Sequence, residues 1–303
     1  MNHLQFAFTG RNSFWRYLIV FIVVLFAANS VGAAPMLFFY IKALINDPSA
    51  AIKLTENPSD FTVLGVSQNT SLFLMLFPFL AVTTAFALIV KPLHDRTLMQ
   101  TINGSGSFRW GRLLSGAGVW AALSAIYLFA YLKAEPDNFS LNNTSITLLP
   151  LILISITLIP FQAGSEELLM RGYLMQGFYR AVPKKWVPLL LTSVIFGLLH
   201  SFNPEVKDFG FLTMMPQYIL FGLVFGITVL LDDGIEIAIG AHSANNIFLA
   251  VMLTHKSSAL QTPSVFEQLD VFPWLEFAGL FVMSSVFLVL LGKKYGWSVR
   301  SLR

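Results

Sequence analysis

The chain of 303 residues contains no cysteine. That excludes disulfides, thiolate metal sites and a cysteine nucleophile, and it leaves the compartment open. Charge is the second scarcity. Asp, Glu, Lys and Arg make up 12% of the residues, about half of the ~25% usual in a soluble domain. The net charge is only +3, and the basic residues flank apolar runs instead of forming a patch. Nucleic-acid binding is therefore not expected. There is also no H-E-x-x-H, the helical spacing that sets two histidines on one metal, and no internal or inverted repeat.

What is present is apolar. Hydrophobic residues make up 55% of the chain, and the mean hydropathy is +0.69. A membrane-crossing helix needs about 20 mainly apolar residues. Eight stretches qualify: Tyr17–Tyr40, Leu72–Val90, Leu113–Leu132, Ile146–Phe161, Trp186–Phe202, Phe211–Leu231, Ile235–Leu253 and Phe272–Leu291. The first is long, with a break expected between Gly32 and Pro35. Arg11, Arg16 and the small residues of "SVGAAP" resemble a signal peptide, but apolar sequence resumes at once, so a retained helix is expected. The fifth span and the fourth, which ends at Phe161, are short and polar at one end. The expected fold class is an all-α, polytopic membrane helix bundle. Fourteen lysines and arginines, from Arg11 to Arg303, fall in one set of connecting segments, against Lys42, Lys53, Lys133, Lys207 and Lys256 in the other. The positive-inside rule then puts both termini in the cytoplasm. Asn46–Thr70 and Lys91–Arg112 read as loops, and Gly222 and Gly226 permit close helix contact.

An ionisable side chain within a membrane is costly and marks a functional candidate. "GSEELLMRGYLMQGF" places Glu166 and Glu167 at the edge of the fourth span. On a helix Glu167 and Arg171 stand at i and i+4 and can pair, whereas Glu166 points about 100° away, into the bundle. A solvated helix cap is the plainer alternative. His200 closes "VIFGLLHSF", with Phe196 one turn before it. A hydrogen-bonded packing histidine is the plainer reading there. In "GAHSANNIFLAV", His242 and Asn246 share a face, with Asn245 nearly in line, and interhelical hydrogen bonding competes with catalysis. "LDDGIE", with Asp232, Asp233 and Glu236, reads as a solvated turn. His3, His94 and His255 fall in the tail or in polar connections. One glutamate, two histidines and an asparagine on three helices are the equipment for hydrolysis by an activated water. An apolar setting favours a glutamate that accepts protons near neutral pH.

The ordered set E-E-x-x-x-R, F-x-x-x-H and H-x-x-x-N resembles the CPBP family of intramembrane proteases, which includes the type II CAAX prenyl proteases. The motifs stand here as Glu166-Glu167-Leu-Leu-Met-Arg171, Phe196-Gly-Leu-Leu-His200 and His242-Ser-Ala-Asn-Asn246, over about Ile146 to Leu253. The resemblance implies a catalytic core at 146–254, preceded by N-terminal helices and loops at 1–145 and followed by a last helix and tail at 255–303. It implies that Glu166 and His200 activate water, that His242 and Asn246 form the oxyanion site, and that Glu167 and Arg171 hold the site in shape. No cofactor is expected. A zinc held by Glu166, His200 and His242 is the alternative. The expected function is an intramembrane endopeptidase acting on a peptide or membrane-protein substrate that can be lipidated, in the plasma membrane of a bacterium. A non-catalytic binding or immunity protein of the same fold and a proton-coupled transporter are the competing functions.

Overall fold

A computed structural model describes residues 2–56 and 60–302. After a 3₁₀ turn at His3–Phe8 come α1 (Phe14–Ala27) and α2 (Ala34–Asn46), separated by a π-helical turn at Ala28–Gly32. The first span is thus broken, and Pro35 lies in the first turn of α2, where its missing N–H is tolerated. α3 (Ala50–Glu56) and a 3₁₀ turn at Phe61–Leu64 occupy much of the first expected loop. Residues 57–59 of that loop, and Arg303 of the charge count, lie outside the described residues. α4 (Gln68–His94) starts where the Ser67 side chain accepts from the Thr70 N–H, a standard N-cap. α5 (Leu98–Ile102) is a short helix within the second expected loop, and α6 (Trp110–Ala134) follows.

α7 (Leu148–Glu167) passes through a π-helical stretch at Leu168–Leu174 into α8 (Met175–Ala181). The three form one apolar helix of 34 residues. Then come α9 (Trp186–Leu199), α10 (Pro204–Phe209), α11 (Phe211–Asp232), α12 (Glu236–Met252) and α13 (Pro273–Tyr295). Three short strands, β1 (Phe139–Leu141), β2 (Leu253–Thr254) and β3 (Phe266–Gln268), form one small sheet. Its order is β1-β3-β2, with β1 antiparallel and β2 parallel to β3, and Ser140 opposite Glu267. The sheet ties the chain leaving α12 to the chain leaving α6.

The protein is an all-α, multi-pass bundle in which six helices are long and apolar enough to cross a membrane among the described residues. The sequence suggests eight. The difference lies at α9 and α12, which have 14 and 17 residues. At about 1.5 Å per residue they fall short of the ~30 Å hydrocarbon layer. Hydropathy along the chain does not register where a helix stops.

The apolar core is shared by both halves of the chain. Val20, Val24 and Phe86 of the N-terminal helices cluster with Trp120, Phe225, Ile237 and Phe287. Two close approaches set the distances. A Cβ on Gly222 would lie 2.7 Å from Ser193 Cα, so α11 rests on the backbone of α9. A Cβ on Gly240 would collide with the Leu113 carbonyl, so α12 lies directly on α6. Small residues allow this closeness where helices meet within lipid.

The acidic turn corrects the reading of it as solvated. Asp232 is buried and Glu236 is fully so. Arg109 donates to both oxygens of Glu236, from Nε at 3.0 Å and Nη2 at 2.5 Å, and lies 3.3 Å from Asp232. Arg112 lies 3.1 Å from Asp232, and Asn103 Nδ2 also donates to Glu236. The chain ends close on the same turn: the His3 N–H donates to Asp233 at 2.6 Å and Trp297 Nε1 to Asp232 at 3.0 Å. His3, in the N-terminal tail, and His94, the last residue of α4 instead of part of a connection, are likewise buried. His94 donates from Nδ1 to the Arg11 carbonyl at 2.7 Å and accepts from the Tyr173 hydroxyl at 2.7 Å.

Candidate active site

Glu166 and Glu167 do not stand at a helix end. The apolar run stops near Phe161, but the helix carries on to Ala181, so both carboxylates lie in mid-helix. The π-helical stretch begins immediately after Glu167. Such wide turns recur at functional sites because they re-aim side chains without ending the helix.

Consecutive residues on a helix face different neighbours, and the two glutamates do so. Glu167 is fully buried, and Arg171 Nη1 donates to its Oε1 at 2.9 Å. Arg171, also fully buried, donates from Nη2 to the Gly222 carbonyl at 3.2 Å. Its guanidinium lies 4.4 Å above the Phe196 ring, a cation–π contact strengthened by desolvation. Glu166 faces the other way. Gln162, one turn earlier, donates from Nε2 to Glu166 Oε1 at 2.5 Å. Glu166 Oε2 is buried and accepts no hydrogen bond from the described residues.

His242 joins the two. Its Nδ1 lies 2.9 Å from Glu167 Oε1. A carboxylate only accepts, so Nδ1 carries the proton. Its Nε2 then faces Glu166 Oε2 at 3.7 Å. The ring is stacked on Phe225, with centroids 5.2 Å apart and 23° between planes, and meets the edge of Phe196 at 5.9 Å. Its position is therefore set by two aromatic neighbours and one carboxylate.

Asn246 enters through a chain of amides. Trp120 Nε1 donates to Asn245 Oδ1 at 3.2 Å, Asn245 Nδ2 to Asn246 Oδ1 at 3.0 Å, and Asn246 Nδ2 to Gln162 Oε1 at 2.9 Å. Gln162 then donates to Glu166. An indole N–H only donates and an ionised carboxylate only accepts, so the direction of every amide between them is determined. Four of the six residues singled out in the sequence (Glu166, Glu167, Arg171 and His242) converge directly, and Asn246 is two hydrogen bonds away, through Gln162. His200 is joined to them only by rings. It caps α9 and donates from Nδ1 to the Phe196 carbonyl at 2.8 Å. Its ring centroid lies 4.7 Å from that of Phe196, the ring that also touches His242. No hydrogen bond or ion pair links His200 to Glu166 among the described residues.

Gln162, Trp120 and Phe225 are parts of the site that the sequence reading passed over. The i, i+4 rule that pairs Glu167 with Arg171 would have found Gln162 beside Glu166. Trp120 comes from a distant helix and leaves no local signal. The zinc alternative can be compared with the donor set. Among the described residues no group of three or more His, Asp or Glu side chains is placed to hold one metal ion. Glu166 and His242 approach each other at 3.7 Å, while His200 makes no hydrogen bond or ion pair with either among the described residues.

Residues 144–248 match the family model of type II CAAX prenyl endopeptidase Rce1-like proteins. The match spans Glu166 to Asn246 and leaves α1 to α6 and α13 outside it. A Bacillus subtilis (strain 168) protein described as "Uncharacterized protein YyaK" is 28% identical over 268 residues, which is 88% of this chain and 87% of that one. No solved structure matches the chain.

Proposed function

With an Rce1-like domain at residues 144–248 as the premise, we propose that the protein is an intramembrane endopeptidase. In this reading Glu166 is the general base. One observation carries it: Glu166 Oε1 is held by Gln162 while Oε2, buried and without a hydrogen bond, faces His242. One oxygen is anchored and the other is free to take a proton. Water placed between Glu166 Oε2 and His200 Nε2 attacks the peptide carbonyl carbon. Glu166 accepts the water proton and later delivers it to the leaving nitrogen. Arg171 pairs with Glu167, and His242 bridges Glu167 and Glu166. Protonated His242 then donates from Nε2 to the developing oxyanion, together with the second N–H of Asn246. Glu167 and Arg171 act through His242, by holding its Nδ1.

The family match and the apolar setting support one substrate class: a peptide held at the membrane, with a lipidated anchor as the first choice to test. The basic residues favour both termini in the cytoplasm, and the bacterial relative favours a bacterial plasma membrane. The reaction is written with residues of this chain alone, and chelation tests that directly. The enzyme is reconstituted in liposomes with a farnesylated fluorogenic peptide and a matched unprenylated membrane-anchored peptide. Glu166→Gln lowers cleavage by roughly 10²–10⁴-fold, the usual worth of a general base. Undiminished cleavage by that variant sinks the assignment. Loss of activity in chelator, restored by zinc, replaces the metal-free mechanism. Preference for the farnesylated peptide supports a lipid-anchored substrate.

A further inference from the structure

His200 has a partner that the hydrolytic scheme leaves unused. Tyr218 on α11 lies flat against its imidazole, with centroids 4.4 Å apart and 20° between planes. The Tyr218 hydroxyl is itself tied down. It donates to Glu205 Oε1 and accepts from Asn203 Nδ2 at 3.0 Å. Asn203 Nδ2 also reaches Glu205 Oε1 at 3.3 Å, and the Asn203 N–H donates to the His200 carbonyl at 3.0 Å. The turn that leaves His200 therefore comes back, within five residues, to hold the ring that covers it.

This tether answers a local need. α9 ends at Leu199, so His200 stands where the helical ladder stops fixing the backbone. The Phe196 carbonyl accepts its Nδ1–H, which leaves Nε2 with the lone pair in the neutral ring. That single bond permits rotation of the ring about it. A flat, immobile neighbour removes the freedom. A tyrosine suits the task, since it has few rotatable bonds and a hydroxyl that can be anchored when buried. Glu205 and Asn203 supply the anchor.

We propose that Tyr218, tethered by Glu205 and Asn203, is a positioning residue that fixes the plane of the His200 ring and so aims Nε2 at the reacting water. The proposal rests on His200 belonging to the water-activating pair. Misplacing such a group by about 1 Å costs on the order of 10²-fold in rate.

The test compares Tyr218→Leu, Tyr218→Phe and Glu205→Gln with wild type. It uses the farnesylated fluorogenic peptide in liposomes, and the His200 ring signal of ¹⁵N-histidine-labelled protein is read in parallel. Tyr218→Leu loses kcat by on the order of 10²-fold with KM unchanged, and its His200 signal passes from one Nδ1–H tautomer to an exchanging mixture. Tyr218→Phe keeps the stack and restores most of kcat. Glu205→Gln falls between wild type and Tyr218→Leu. A Tyr218→Leu variant with wild-type kcat and an unchanged ring signal overturns the proposal, and so does a loss that appears only as raised KM. Should Tyr218→Leu fail to fold, wild-type behaviour in both remaining variants overturns it instead. Glu166→Gln and His200→Ala are run alongside. Full activity in those two defeats the hydrolytic reading, while the ring signal still decides whether Tyr218 orients His200.

Discussion

Two pairs of carboxylates are buried in this bundle, and the helices accommodate them differently. Asp232 and Glu236 meet two arginines, Arg109 and Arg112, with the charges in balance. Of Glu166 and Glu167, only Glu167 pairs with an arginine, Arg171, among the described residues. The first pair lies where both chain ends close on a turn, and each of its two carboxylates has an arginine opposite, while Asp233 beside them accepts from the His3 N–H. The second pair is short of one positive charge and is completed by a histidine that touches both glutamates. A balanced cluster fastens helices together. In the proposed mechanism the unbalanced one is where a proton comes and goes.

The contrast can be broken most forcefully at the balanced pair. Arg109→Met leaves Glu236 buried without its main cation, and loss of one partner from a buried pair costs about 3–5 kcal/mol. Thermal unfolding in detergent shows that fall, and adding Glu236→Gln recovers most of it, with peptide cleavage retained. If the double variant stays as unstable as the single one, charge balance is not what Arg109 provides. The same repair applied to the site has a different outcome. Arg171→Met with Glu167→Gln regains stability over Arg171→Met alone, but cleavage stays down on the order of 10²-fold or more, because the carboxylate that orients His242 is gone. Recovery of both together would erase the distinction between the two clusters.

A smaller effect sharpens the role of the amide chain. Gln162→Leu leaves Glu166 Oε1 and one Asn246 N–H without partners, at about 1–3 kcal/mol. It lowers kcat more than it raises KM. Unchanged kcat would show that Glu166 needs no anchor. The smallest effect belongs to His3 on the balanced side. Burial lowers its pKa from the usual 6.5, against the opposing pull of the Thr101 carbonyl and of Asp233 and Glu236. The folded state therefore prefers neutral His3. Its contribution is complete above the ordinary value of 6.5 and is lost as pH falls below it. Limited proteolysis of the N-terminal segment should quicken at mildly acid pH, and His3→Phe should remove that dependence.

Much of the site was legible from spacing alone. Glu167 and Arg171 pair as their i, i+4 placement suggests, and His242 and Asn246 share a face. The hidden parts depended on residues distant in sequence. Asp232-Asp233-Gly234 has the local chemistry of a solvated turn, and only Arg109 and Arg112, more than a hundred positions away, bury it. His200 was expected beside Glu166. Its ring lies against Phe196 and Tyr218, and no motif records that. The count of spans differed because α9 and α12 stop at 14 and 17 residues, too short to cross.

The hydrogen-bonded path from Trp120 to Glu166 has a consequence for the membrane as an electrical barrier. A file of water molecules passes protons by exchanging covalent and hydrogen bonds along its length. Side-chain amides hold their hydrogens, and an indole at the far end cannot take one up. The path therefore fixes the orientation of Glu166 and remains an insulator. Protons cannot pass between Glu166 and Trp120 along this path, so in the proposed mechanism the base is anchored by a chain that does not itself carry charge across the membrane.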